Sequence, residues 1–298
     1  RHAGYYNPCE RIDEEMMQEQ YDSDEDWDVV SNWRPEDDNY DWKPGDPVDR
    51  PYRFDARDGD MDAMNDLLDY ALAHDLSVPA HYEQVARRLD VPWFIDYLIL
   101  EGYTRHRDWP HNNWTAVREK SAGHLGKWRF YAWDLEHSFY ESDVDSTFKT
   151  PSSSGDTQPV GILYAQLLVN DTFRRLFADR SQEHFFHGGA LQASNVIPRF
   201  EELRAILAGV LPHMNTSIRD TWAHQRPVAV LASLQDKGLF TLQGPRLYIN
   251  DTPYEGQTVH AGDILTMENP HDSGTIYYTL DGTDPLDWPS DTAPDESD

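Results

Sequence analysis

The chain has 298 residues, about 39% of them apolar and with 10 Trp, 16 Tyr and 11 Phe, enough for a sizeable aromatic core in one large domain or two. Its 54 acidic residues against 25 basic ones leave a net charge of −29, which excludes a nucleic-acid partner because the phosphates would be repelled; cation attraction, solubility or a high-salt habitat remain as reasons for the acidity. Cys9 stands alone, which excludes an intrachain disulfide framework and a multi-Cys zinc site, and no run of about 18 apolar residues marks a membrane span.

No signal peptide is visible, although the chain starts at Arg1 and not at Met, which leaves room for a leader upstream. Residues 1 to 30 read as a short strand around "GYYNP", a polar helix "RIDEEMMQEQY" and an acidic turn "DSDEDWD" that leads into "VV". Residues 31 to 60 are dense in Pro, Asp and Trp without a clean period, and predict an irregular crossing loop. Met61, Met64, Leu68 and Leu72 then fall at helical spacing, and Tyr82, Val85 and Leu89 repeat the pattern. "VPWFIDYLILEGY" is apolar almost all round, with Pro92 near its start and Asp90 as a candidate cap, the signature of a buried central helix.

"WTAVRE" and "KWRFYAW" are alternating aromatic-rich runs around "KSAGHLG" and predict a hairpin. "TPSSSGDTQP" reads as a flexible loop. From there to about Pro227 the chain is helical, with stripes at Leu163, Leu167 and Leu168, at Phe173, Leu176 and Phe177, and at Leu203, Ile206, Leu207 and Val210. Near residue 237 short strands between Gly, Pro and Asp turns take over, an all-β module of about 50 residues, and the tail "LDWPSDTAPDESD" reads as disordered or truncated.

Chemistry concentrates in "RHRDWPHNNW", residues 105 to 114, which fits the H-R-D-x-x-x-x-N pattern of kinase catalytic loops at His106, Arg107, Asp108 and Asn113. Phosphoryl transfer needs a carboxylate to orient the attacking hydroxyl and a divalent ion over the phosphates, and Mg²⁺ favours one or two carboxylates, an amide oxygen and retained waters. Asp108, Asn113 and Asp134 supply that set, since a hairpin returns its two ends to one place. Glu136, two residues along the strand from Asp134, would point to the same face and hold a second ion. The alternative is a surface network in which these acids pair with Arg105, Arg107, Arg118 or Arg129.

"GYYNPCERIDEEMM", "DEDWDVV", "LDVPWFIDYLILEGYTRHRDWPHNNW" and "GKWRFYAWDLEHSF" together resemble the CotH family of spore-coat, protein-kinase-like proteins, over roughly residues 3 to 225. The resemblance implies an α+β fold for residues 1–236: an atypical protein-kinase-like domain with a mostly helical C-lobe, a β-hairpin carrying the metal site, and an N-lobe largely absent. It implies Asp108 as the catalytic-loop aspartate, Asn113 and Asp134 as metal ligands, and ATP with Mg²⁺ or another divalent cation. Glu136 stands where the family usually shows Asp. Family members carry an upstream lobe with a phosphate-binding Lys, and Lys43, Lys120 and Lys127 match no such motif. "TIYYTLDGTDP" resembles the chitobiase/β-hexosaminidase C-terminal type of module and implies a small β-sandwich with an accessory, carbohydrate-associated role in residues 237–298.

The expected activity is transfer of the ATP γ-phosphoryl group to Ser or Thr of a protein substrate by a secreted or cell-surface protein. Against it stands a non-catalytic surface or matrix scaffold, and, on acidity alone, a calcium-binding adhesin. The alternating acids Asp22, Asp24, Asp26 and Asp28, and Asp58, Asp60 and Asp62, lack the Gly and Glu of an EF-hand loop and read as solvated turns. "HFFH", His184 to His187, reads as a core edge, Cys9 as a small buried filler and "TPSSSGDT" as a polar loop.

Overall fold

The computed structural model describes residues 10–32, 52, 54–121, 126–142 and 158–280. The expectations for "GYYNP", Cys9, "TPSSSGDT" and the acidic tail lie outside these residues. Chain contacts separate two compact units, Arg1–Asp90 with Asp108–Asp134 and Pro151–Gln166, and Val91–Arg107 with Leu135–Thr150 and Leu167–Asp298. Helices and small antiparallel sheets make an α+β protein. Among the described residues no helix is long and apolar enough to cross a membrane.

The first unit is built on a sheet in the order β2-β1-β3-β4, from β1 (Trp27–Asn32), β2 (Phe54–Asp58), β3 (Trp114–Glu119) and β4 (Arg129–Ala132). Helix α1 (Glu14–Tyr21) starts at Asp13, whose side chain accepts the Met16 N–H at 3.0 Å, and carries Glu14 and Glu15 in its first turn, where the helix dipole favours acids. Its Met17 packs with Ile12, Trp27, Val29 and Val117 on one face of the sheet. The hairpin forms as the alternation predicts, with Trp114 opposite Ala132 and Thr115 opposite Tyr131.

Two expectations change here. Residues 54–58 are a strand and not part of an irregular loop: β2 pairs antiparallel with β1, and these partner hydrogen bonds override the poor strand propensity of its two aspartates. Asp28 is not solvated. It is fully buried in β1, bonded to Arg118 Nη2 at 2.9 Å and to Lys120 Nζ at 3.2 Å, and Lys120 reaches Asp60 as well. Gly59 (φ 67°) makes this approach feasible, since a Cβ there would lie 2.3 Å from Asp28 Oδ1. Helices α2 (Asp62–Ala73) and α3 (Pro79–Ala86) complete the unit together with most of α5 (Pro159–Leu167).

The second unit contains α4 (Val91–Thr104), α6 (Asp171–Phe185), α7 (Ala193–Leu207) and α8 (Ala223–Asp236). Its α4 is buried on most of its circumference, as its apolar sequence requires. An ion cluster ties α4 to α6: Arg180 donates Nε and Nη2 to the two Asp96 oxygens at 2.7 and 2.5 Å, and His184 Nε2 lies 2.8 Å from Asp96 Oδ1. Burial alone would raise the Asp96 carboxyl, but the hydrogen bonds from His184 and Arg180 outweigh it and hold it below its usual 3.8. This stability is in place above pH 3.8 and is lost as pH falls through the depressed value. Asp96→Asn is therefore expected to cost about 1.5–3 kcal/mol near neutrality and progressively less in acid. Urea unfolding of both proteins across that range checks it.

The described C-terminal residues form a sheet, β6-β5-β7, from β5 (Arg246–Ile249), β6 (Thr252–Pro253) and β7 (Leu265–Glu268). The β5–β6 turn is Asn250-Asp251 with φ of 49° and 65°, the left-handed pair a two-residue hairpin needs. Among the described residues, 269–280 carry no strand, and Tyr277 and Tyr278 are exposed.

Candidate active site

Helix α4 ends where Arg105 turns left-handed (φ 52°), and the chain enters the loop through a buried anchor. His106 Nδ1 sits 2.8 Å from Glu101 Oε2, one turn back in the helix, with both side chains 0% exposed. Burial pushes the Glu101 carboxyl above its ordinary range, and the His106 contact works against that rise. A glutamate inside the otherwise apolar "LILEGY" was the available sequence signal for this pair, because a buried carboxyl needs a partner.

The loop closes on itself within the first unit. Asn112 N–H donates to Asp108 O at 2.9 Å, and Asn32 Nδ2, from the end of β1, donates to Asn112 Oδ1 at 3.3 Å. Asn113 adopts φ 61°, tolerated by Asn better than by most residues, and so turns its amide inward before β3 begins. Its Nδ2 donates to the Asp134 carbonyl at 3.2 Å and reaches Asp108 Oδ2 at 3.5 Å, the limit of a hydrogen bond. Trp133 N–H donates to Asn113 O at 3.1 Å, one step beyond the Trp114–Ala132 pair. The hairpin thus brings Asn113 and Asp134 together, with Asp108 beside them.

The profile of the family described as CotH kinase protein matches residues 1–236. The chain belongs to that family. The matched region takes in the loop and the hairpin and ends at Asp236, the last residue of α8. No curated protein matches the chain. The CotH kinase family is kinase-like, and the chain shares that coarse character.

Arg105 pairs with Glu141 at 2.6 Å, Arg118 with Asp28 and Arg129 with Asp90 at 2.8 Å, while the Arg107 guanidinium lies 5.9 Å from the Tyr140 ring centre. Among the described residues none of these arginines neutralises Asp108 or Asp134.

Glu136 departs from expectation. Strand β4 stops at Ala132 and Asp134 turns left-handed (φ 56°), so Glu136 lies in the 3₁₀ turn Leu135–His137, not on a strand face. Its side chain is 64% exposed. Among the described residues, no three Asp, Glu, His or Cys side chains converge as a metal-holding group. Arg57 also went unnoticed in the sequence: its Nε donates to Ser31 Oγ at 2.7 Å, and Ser31 faces Thr115, two residues from Asn113.

Proposed function

We propose that this protein is an atypical protein kinase that transfers the ATP γ-phosphoryl group to Ser or Thr of a protein substrate. The observation that carries the proposal is the Asn113 amide, bonded to the Asp134 carbonyl and reaching the Asp108 carboxylate, with no arginine neutralising either acid among the described residues. Asp108 accepts the proton of the attacking hydroxyl as its oxygen bonds to the γ-phosphorus and the bond to the β-phosphate oxygen breaks, releasing ADP. Asn113 and Asp134 would hold Mg²⁺ or a related ion. Such an ion, when bound, neutralises charge on the phosphates.

Residues 1–236 form the kinase-like domain in this reading, and residues 237–298 an accessory module of the chitobiase C-terminal type. The carbohydrate-associated role of that module rests on its sequence resemblance. The spore-coat association of the family supports a secreted or cell-surface location.

Divalent-ion binding is expected to raise thermal stability. An ion present at ten times its Kd contributes about 1.4 kcal/mol, roughly 3–6 °C for a domain of this size. Asp134→Asn should remove most of the rise. Thermal unfolding with millimolar Mg²⁺, Mn²⁺ and Ca²⁺, with and without ATP, is the test, and an unchanged melting temperature in every condition would sink the metal site.

A further inference from the structure

Two segments bear directly on the proposed chemistry by chain continuity: residues 102–107, which run into Asp108, and residues 135–142, which run out of Asp134. Inside the second unit they are laced together. Arg107 N–H donates to His137 O at 3.1 Å, Phe139 N–H to Thr104 O at 2.8 Å, and Arg105 Nη1 to Tyr140 O at 2.8 Å.

One residue of α8 closes this lacing from behind. Arg226 is 0% exposed, and its guanidinium donates Nε to Tyr103 O at 3.0 Å, Nη2 to Gly102 O at 2.5 Å and Nη1 to Ser142 O at 3.5 Å. The first two acceptors lie at the C-terminal end of α4, where the negative end of the dipole favours a cation; Gly102 O also accepts the Arg105 N–H at 3.3 Å. The third lies on the other segment. Gln225 adds a fourth link, accepting Ser142 Oγ–H at 2.6 Å.

Trp222, four residues before Arg226 and so on the same helical face, packs on the same two segments. Its ring meets Tyr103 edge-on at 6.4 Å and Phe139 at 5.4 Å, and the Arg226 guanidinium lies 5.3 Å from its centre. The π-turn Ile218–Trp222 immediately precedes α8, a local widening of the kind found where a helix must aim side chains.

We infer that Arg226 is a positioning residue for phosphoryl transfer: its planar fork fixes the strand of chain entering Asp108 against the strand leaving Asp134. Lysine cannot replace it, because one ammonium on a flexible stem does not span three carbonyls in a fixed plane. The role rests on the kinase reading, but the lacing itself does not.

The test uses Arg226→Lys, Arg226→Met and Arg226→Ala in the full-length protein. Arg226→Lys and Arg226→Met are expected to lower kcat by about a hundredfold, the scale of a misplacement near 1 Å, with KM for ATP changed by less than about threefold. Added guanidinium should restore part of the kcat of Arg226→Ala. Amide exchange is expected to quicken in peptides covering residues 102–107 and 137–142, and to stay at the wild-type rate in β1 and β3. If the variants melt earlier yet keep kcat, Arg226 is only structural. If exchange in those peptides is unchanged, the lacing does not depend on Arg226 and the inference is overturned, whether or not the protein proves to be a kinase.

Discussion

Asp108→Asn is expected to slow phosphoryl transfer by about 10² to 10⁴, the range for losing a positioned general base, with little change in ATP affinity. The amide is nearly isosteric and, by rotating, keeps an oxygen facing Asn113, so the loop that Asn112 and Asn113 close around residue 108 should persist. What disappears is the capacity to accept the hydroxyl proton. Asp134→Asn should differ in kind, weakening metal–nucleotide binding and turnover together, because in the proposed mechanism that carboxylate serves the ion and not the hydroxyl. Steady-state kinetics with a Ser/Thr-containing acceptor, beside equilibrium binding of ATP, separates the two patterns. Full activity in both variants would contradict the assignment of both acids.

The largest expected loss of stability follows from His106→Ala. The change strands the Glu101 carboxyl in a site where both side chains are fully buried, and breaking a buried pair from one side costs about 3–5 kcal/mol. Burial holds the Glu101 carboxyl above its usual 4.5, so the stability carried by its protonated form is present below pH 4.5 and is lost as pH rises through the raised value. The variant should therefore be weakest at neutral and alkaline pH and least affected in acid. Replacing both partners with apolar residues of similar volume, Glu101→Met with His106→Leu, should cost far less than His106→Ala alone. Denaturant titrations of the single and double variants measure the coupling. Equal losses at pH 4 and pH 8 would contradict the account of Glu101.

Much of this organisation was legible in the residues themselves. The hairpin announced itself through alternation, and its closure explains why Asn113 meets Asp134 without any long-range information. Helices α2, α3, α4 and α6 follow from period and apolar stripes. Elements decided by tertiary pairing were not legible. Strand β2 owes its existence to β1, and Asp28 is buried because Arg118 of β3 and Lys120 just beyond it arrive from about ninety residues away in sequence. Glu136 was misplaced because strand alternation was extended past a residue whose positive φ ends it. Arg226 carries no local signal, since its acceptors are backbone carbonyls distant in sequence, which no side-chain pattern encodes.

The most direct test of the central claim is transfer of label from γ-labelled ATP to a Ser/Thr-rich protein acceptor by the full-length protein, with and without divalent ions. The account predicts phosphoserine or phosphothreonine in the presence of Mg²⁺ or Mn²⁺, abolished by a chelator and by Asp134→Asn. Absence of label with every divalent ion, or undiminished labelling by Asp134→Asn, would contradict it, and the first of these outcomes would leave the kinase-like domain as a scaffold.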